Sequence, residues 1–416
     1  MTDGRSLKPS LKIAIVSEHA SPLAVLGGAD AGGQNVHVGA LAAELVAQGH
    51  SVTVHTRRDD PALPRTVVTD GGVVVEHVDA GPPEPVPKDD LRVWMEDFAT
   101  VLGERWAAAR PDVAHAHFWM SGLATLLAAP RLGIPVVQTF HALGTVKRRH
   151  QGDADTSPPD RIDTERRLLA ESDHIIATCQ DEVAELERMG GPGGGVSTIP
   201  CGVDLGLFRP EGPALPRRSR RRAAVIGRLV PRKGVADAIE ALRWLPDTEL
   251  VIAGGPAPED LDDDAEVARL RAVAQRAGVT AQVVFMGRLS RLEVPALLRS
   301  ADAVVSVPYY EPFGIVPVEA MACGTPPVVT AVGGMRESVV DGETGLHVPA
   351  GDPKGLAAAL RHLFDHPLVA RRISAGAVRR ARTTFGWPQV ASRTAAVYTQ
   401  VARGAKPTLL TGTGRP

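Results

Sequence analysis

Cysteine is scarce: Cys179, Cys201 and Cys323 are the only three in 416 residues, and no pair has C-x-x-C spacing. An odd, scattered set makes neither a disulfide framework nor a zinc site, and it suits a reducing compartment. No run reaches the ~18 apolar residues that a membrane helix requires. Gly122–Phe140 comes nearest, and Arg131 and two prolines interrupt it. The first ten residues are polar, and Ile13–Val16 behind them is too short for a secretory h-region. A soluble, cytoplasmic protein with no stable membrane insertion is expected. Charge of one sign is also missing: 46 Lys+Arg against 48 Asp+Glu leaves -2, with no pull toward nucleic acid. The basic runs Lys147–His150 and Arg217–Arg222 are local and read as solvated surface or linker. Oligomeric state is not readable from the sequence.

What is present is a regular alternation. Hydrophobic residues make up 44% and charged residues 23%, the globular range, and the length suits two domains. Short apolar runs read as strands at Leu11–Val16, Ser51–Thr56, Val73–Val78, Asp112–Ala116, Pro135–Thr139, His174–Thr178 and Ser197–Ile199. Gly33–Gln48 reads as a helix ended by Gly49. Asp204–Arg222, with three prolines and six arginines, reads as a linker. The pattern then restarts, with strands at Ala223–Ile226, Glu249–Ala253, Val283–Met286, Ala303–Val307 and Pro327–Thr330 and a helix at Asp264–Ala277. Strands separated by helices imply parallel sheets covered on both faces. The expected architecture is α/β: two Rossmann-like doubly wound domains, 1–204 and 223–386, joined by linker 205–222 and facing a cleft. A helix over 387–405 would return to the first domain, followed by a disordered tail, 406–416. Open parallel sheets bind ligands at the carboxyl ends of their strands, so the chemistry belongs there.

The segment Glu311-Pro312-Phe313-Gly314-Ile315-Val316-Pro317-Val318-Glu319 is the most informative. It sets one carboxylate on a loop behind a strand and another more than a turn into the following helix. Gly314 permits close backbone approach, and free N–H groups at the helix start favour an anion. A ligand there could offer hydroxyls to both acids. Gly227-Arg228-Leu229-Val230-Pro231-Arg232-Lys233-Gly234 follows the first strand of the second half and supplies two cations suited to a diphosphate. Gly27–Asn35 is a glycine-rich turn between strand and helix, and His141 follows the strand Pro135–Thr139.

Tyr-Glu-Pro-Phe-Gly-Ile-Val-Pro-Val-Glu-Ala-Met-Ala-Cys-Gly-Thr-Pro, with its Glu-x7-Glu, resembles the signature of family 4 retaining glycosyltransferases of the GT-B fold. Further similar pieces run from about Lys12 to Trp387. The resemblance implies that Arg228 and Lys233 neutralise a departing nucleotide diphosphate without a metal. It implies that Gly33 lies against the donor phosphates, that Phe313, Gly314, Ile315 and Glu319 hold the donor, and that Glu311 and His141 address its sugar. Arg288, beyond Val283–Met286, would meet the nucleobase, with UDP favoured. No cofactor is implied beyond this nucleotide-sugar co-substrate; the expected partners are small molecules, a donor and an acceptor. Among family members the chain most resembles actinobacterial inositol-phosphate N-acetylglucosaminyltransferases of mycothiol synthesis, with sucrose synthase-like and sucrose-phosphate synthase-like members next. By that resemblance His19, Asn35, Lys88, Phe118 and Arg161 line the acceptor pocket. Phe118 stands where those enzymes use a tyrosine hydroxyl on the acceptor phosphate, and Ala142 where they use a threonine. Losing each donor would cost about 1–3 kcal/mol for the same phosphate, which weighs against inositol 3-phosphate. Lys88 and Arg161 keep a phosphorylated acceptor open. An NAD(P)-dependent oxidoreductase would need a spaced G-x-G-x-x-G with an acid about 20 residues on, which neither half shows cleanly. An inactive nucleotide-sugar-binding protein would have no need of all four of Arg228, Lys233, Glu311 and Glu319.

Overall fold

The computed structural model of the chain describes residues 10–23 and 33–404. The glycine-rich turn up to Gly32, the first nine residues and the expected tail lie outside the described residues. Two compact α/β units emerge. One comprises the chain up to Thr178, Val183–Ile199 and Val390 onward; the other comprises Cys179–Glu182 and Pro200–Gln389.

The first unit carries β1 (Lys12–Val16), β2 (Ser51–Arg57), β3 (Thr66–Val68), β4 (Val74–Val78), β5 (Val113–His117), β6 (Val136–Thr139), β7 (His174–Ala177) and β8 (Gly195–Thr198). Their order is β3-β4-β2-β1-β5-β6-β7-β8. All pairs are parallel except β3 with β4. β5 is buried along its whole length, as a parallel strand covered on both faces must be. The edge strand β3 was not foreseen: its three residues are mostly exposed and carry no apolar run to detect.

In the second unit β9 (Arg221–Ile226), β10 (Thr248–Ala253), β11 (Val283–Gly287), β12 (Ala303–Ser306), β13 (Pro327–Thr330) and β14 (Leu346–Val348) lie in the order β11-β10-β9-β12-β13-β14. The helix Ala265–Ala277 starts where the Asp264 carboxylate accepts from the Val267 N–H at 2.8 Å, satisfying one orphan donor of its first turn.

The 205–222 stretch, read above as a linker, is packed within the second unit. Phe208 is 1% exposed, and the Leu215 N–H donates to the Ala296 carbonyl at 3.1 Å. Arg222, counted in a solvated basic run, is buried. Its guanidinium bonds Glu249 at 2.8 Å, Ser300 at 2.7 Å and the Pro216 carbonyl at 2.6 Å. Composition misled here because arginine reads as solvent-seeking until a buried partner is found for it. Apart from the short Cys179–Glu182 piece, the units meet in sequence at Ile199/Pro200 and Gln389/Val390, a few residues from the expected 204 and 387.

Both sheets reverse direction of winding beside their first strand. In the first unit the chain moves from β1 outward to β4, then returns to place β5 on the other side of β1. In the second it moves from β9 to β11, then places β12 beside β9. Such reversal points open a crevice at the carboxyl ends of the two central strands. The residues just beyond β1 and β5, and beyond β9 and β12, therefore line the two crevices.

Candidate functional site

In the second unit, the turn Pro231–Lys233 follows β9, and Gly234 beyond it takes φ +67. Across the crevice, the loop beyond β12 delivers Glu311. The Lys233 ammonium bonds Glu311 Oε2, and the Arg232 guanidinium reaches the same oxygen at 3.3 Å. Burial alone pushes the Glu311 carboxyl up; the two cations outweigh it and hold it below the ordinary range. Glu311 is thus a carboxylate with one oxygen engaged and one still able to accept.

Gly314, at φ +80, caps the helix Ile315–Ala322. The Gly334 N–H donates to the Pro312 carbonyl at 2.9 Å, pinning the same loop from below. A Cβ on Gly314 would lie 2.6 Å from Met335 Cγ. Gly314→Ala is therefore expected to cost about 1–3 kcal/mol from the left-handed backbone and the clash. It should also displace Glu311; melting temperature and kcat together check this.

Glu319, in the middle of that helix, is 5% exposed and faces Arg291 at 3.3 Å. Burial pushes its carboxyl up to about 7, with Arg291 drawing it partly back. Phe313 is buried and meets Phe385 edge-on at 6.2 Å, while Ile315 is half-buried. Arg228 and Arg288 stand exposed just beyond β9 and β11. The structure thus joins Lys233 to Glu311 directly and sets Glu319 on a separate partner. Arg232 and Arg291 were missed in the sequence. Arg232 sits inside the quoted motif, but nothing in its spacing separates it from surface charge.

The first unit gathers a second set. Glu18 and His19 follow β1, Phe118 follows β5 and His141 follows β6. Phe118 takes φ +80 and ψ 161, and His141 takes φ +60. Non-glycine residues in such backbone conformations carry strain and collect at binding sites. The Phe118 ring is ringed by His19 at 5.0 Å between centroids, Lys88 Nζ at 5.4 Å and Arg161 Cζ at 5.2 Å. Arg161 is buried, and each of its three nitrogens makes one bond within the protein: Nε to Glu165 at 2.8 Å, Nη1 to Ser157 at 3.1 Å and Nη2 to the Ala142 carbonyl at 2.9 Å. It braces the loop that carries His141. Asn35 donates to the Ser21 carbonyl at 3.1 Å. Gly33 opens its helix, and a Cβ added there would meet no atom of the described residues within 4 Å.

His141 Nε2 lies 2.8 Å from His117 Nδ1, and His37 and His115 complete a cluster. Its tautomers can be worked out in part. The Thr139 hydroxyl gives its one proton to the Ile176 carbonyl at 3.0 Å, so at 2.9 Å it accepts from His115 Nε2. His115 Nδ1 is then the acceptor of the Tyr398 hydroxyl at 2.6 Å. Burial, then mutual repulsion, drives His115, His117 and His141 well below the ordinary histidine range, and burial takes His37 to about 4. All four rings are neutral at pH 7. The motifs in the sequence singled out only His141; His115 and His117 alternate within β5, a period-2 signal hidden by an otherwise apolar strand.

Residues 214–380 match the family Glycosyl transferases group 1, and residues 31–207 match Glycosyltransferase Family 4. A D-inositol 3-phosphate glycosyltransferase of Streptomyces avermitilis is 36% identical over 96% of this chain and 89% of its own length. The chain belongs to glycosyltransferase family 4. The protein of the same name from Mycobacterium tuberculosis is 34% identical over 93% of this chain and 82% of its own. Among solved structures, sucrose-phosphate synthase from Thermosynechococcus elongatus superposes with TM-score 0.86 at 30% identity, covering 94% of this chain and 99% of that one. Anabaena HepE in complex with UDP gives TM-score 0.73 at 18% identity, over 94% and 100% of the two chains, and shares the fold. This glycosyltransferase is an enzyme of the GT-B class, and the oxidoreductase reading finds no support. No described helix is long and apolar enough to cross a membrane.

Proposed function

We propose that this glycosyltransferase moves a hexosyl or N-acetylhexosaminyl group from a UDP-sugar, with retention of configuration, to a small hydroxylated acceptor. The observation that carries the reading is the Lys233–Glu311 pair at the reversal point of the second sheet. Lys233 and the exposed Arg228 take the charge that grows on the leaving diphosphate, and no metal is assigned a part. Glu311 keeps one oxygen for hydroxyls of the transferred sugar, while Glu319 accepts from the ribose hydroxyls. Departing phosphate, once formed, is itself the base for the attacking hydroxyl in a front-face displacement. That leaves Glu311 as a positioning and stabilising group, with no covalent glycosyl-enzyme required. His141, neutral in its cluster, can donate or accept a hydrogen bond without bringing charge. A soluble enzyme of the cytoplasm, where nucleotide sugars are made, fits this reading.

Thermal-shift titration with UDP, GDP, ADP, NAD and NADP tests it: UDP should raise the melting temperature and the pyridine nucleotides should not. The same titration across pH reads Glu319. Its carboxyl titrates at about 7, so ribose binding through the carboxylate demands release of a proton below that value. UDP affinity is expected to fall by about tenfold from pH 8 to pH 6, a step that Glu319→Gln should lack. A profile shared by wild type and Glu319→Gln would remove Glu319 from the nucleotide site.

A further inference from the structure

We propose that Glu18 is a positioning residue that fixes His19 as a hydrogen-bond acceptor, so that the acceptor group seated against His19 is a neutral hydroxyl and not a phosphate. The proposal rests on the glycosyl-transfer reading above and narrows its acceptor class.

Glu18 and His19 leave the carboxyl end of β1 at the reversal point of the first sheet, beside Phe118 at the end of β5. The Glu18 side chain is fully buried and that of His19 is 10% exposed. Both carboxylate oxygens of Glu18 are committed. Oε1 faces His19 Nδ1 at 2.6 Å, and Oε2 accepts from the Ser121 hydroxyl. Ser121 in turn accepts from the Glu18 N–H at 3.0 Å, which locks the carboxylate in place. A carboxylate can only accept, so the ring proton of His19 must sit on Nδ1. A ring whose single proton sits on Nδ1 keeps a lone pair on Nε2, and that atom pairs with an O–H donor. An anionic phosphate oxygen offers it no proton.

The surroundings agree. The Phe118 ring beside His19 offers no hydrogen-bond donor. Arg161 has its charge met by Glu165 at 2.8 Å and its remaining bonds directed into the protein. Lys88 sits beside Asp89, whose carboxyl feels its charge. The buried Glu18 adds a negative charge one residue from the pocket. Phosphate sites need several donors and an excess of cation; a polyol or sugar hydroxyl needs neither.

Three measurements on the full-length enzyme decide the matter. Nitrogen-15 spectra of histidine-labelled protein at pH 7.5, with His19 identified by the signal missing in His19→Gln, should show a proton on Nδ1 and none on Nε2. A ring protonated on Nε2, alone or with Nδ1, overturns the proposal. Separately, a cell extract is divided, one half is treated with alkaline phosphatase, and each is incubated with enzyme and UDP-glucose or UDP-N-acetylglucosamine. The same phosphate-free glycoside should form in both halves; a phosphorylated product lost after phosphatase treatment overturns it. With that acceptor, Glu18→Gln should raise KM about tenfold while leaving donor KM and UDP stabilisation unchanged. An equal loss on the donor side would mark Glu18 as structural and overturn the assignment. If neither half yields a glycoside, the transfer reading itself fails and carries this proposal with it, whereas the histidine spectra would still report the ring's proton.

Discussion

Lys233→Ala should lower kcat by about a hundred- to a thousand-fold while the fold survives. The lysine is one of two cations proposed to meet the charge that grows on the departing diphosphate. Removing one preorganised charge donor from a transition state has an effect of about that size. It also strips Glu311 of its nearer partner, leaving Arg232 at 3.3 Å to hold the carboxylate. Glu311→Ala should be as severe, through loss of the group proposed to grip the sugar. Because the two side chains are bonded, their effects should not add: the double variant should fall little further than the worse single one. Steady-state kinetics on variants with native circular dichroism checks all three. Near-normal turnover by either single variant would remove the pair from the chemistry.

Acid should unfold the first unit over a narrow pH range. His37 and His174 are held at about 4, chiefly by burial, and His115, His117 and His141 well below their ordinary value. Each is neutral when folded and takes a proton when unfolded below about 6.5. The stability they contribute is therefore intact above pH 6.5 and drains as pH falls toward their depressed folded values. At pH 5.5 His37 and His174, held at about 4, each cost the fold on the order of 1 kcal/mol, and His115, His117 and His141 act in the same direction. Calorimetry at pH 7.5, 6.5 and 5.5 should show a steep drop in the melting temperature of this unit. His37→Gln should flatten that dependence. A melting temperature indifferent to pH over this range would mean the cluster is hydrated or already shares a proton.

Much of the fold was legible because parallel strands buried on both faces read as short apolar runs, as in Ala303–Ser306 and Pro327–Thr330. The strands that escaped, Thr66–Val68 and Leu346–Val348, are three-residue edges with little burial pattern. Glu311, Glu319 and Lys233 stood out because acids and cations flank a strand-to-helix turn. Their partners did not. Arg291 lies 28 residues from Glu319, and only the packed sheet brings them together. The same holds for Glu18 and Ser121, 103 residues apart. Arg161 illustrates the opposite error of emphasis: a charge conspicuous in sequence is occupied in the structure by Glu165, one turn along its own helix. Composition around Arg222 hid a buried ion pair for a similar reason.

Phe118 holds a backbone conformation open almost solely to glycine, φ +80 and ψ 161, between the end of β5 and the helix Trp119–Ala128. Conformations of this kind cost about 1–3 kcal/mol, and the packing of the buried Phe118 ring in the core of the first unit offsets that cost. Libraries sorted by survival after heating should therefore hold phenylalanine at residue 118, since glycine would relieve the backbone but leave a cavity of aromatic size. Glycine there should also cost acceptor discrimination, because it removes the ring that His19 and Lys88 face.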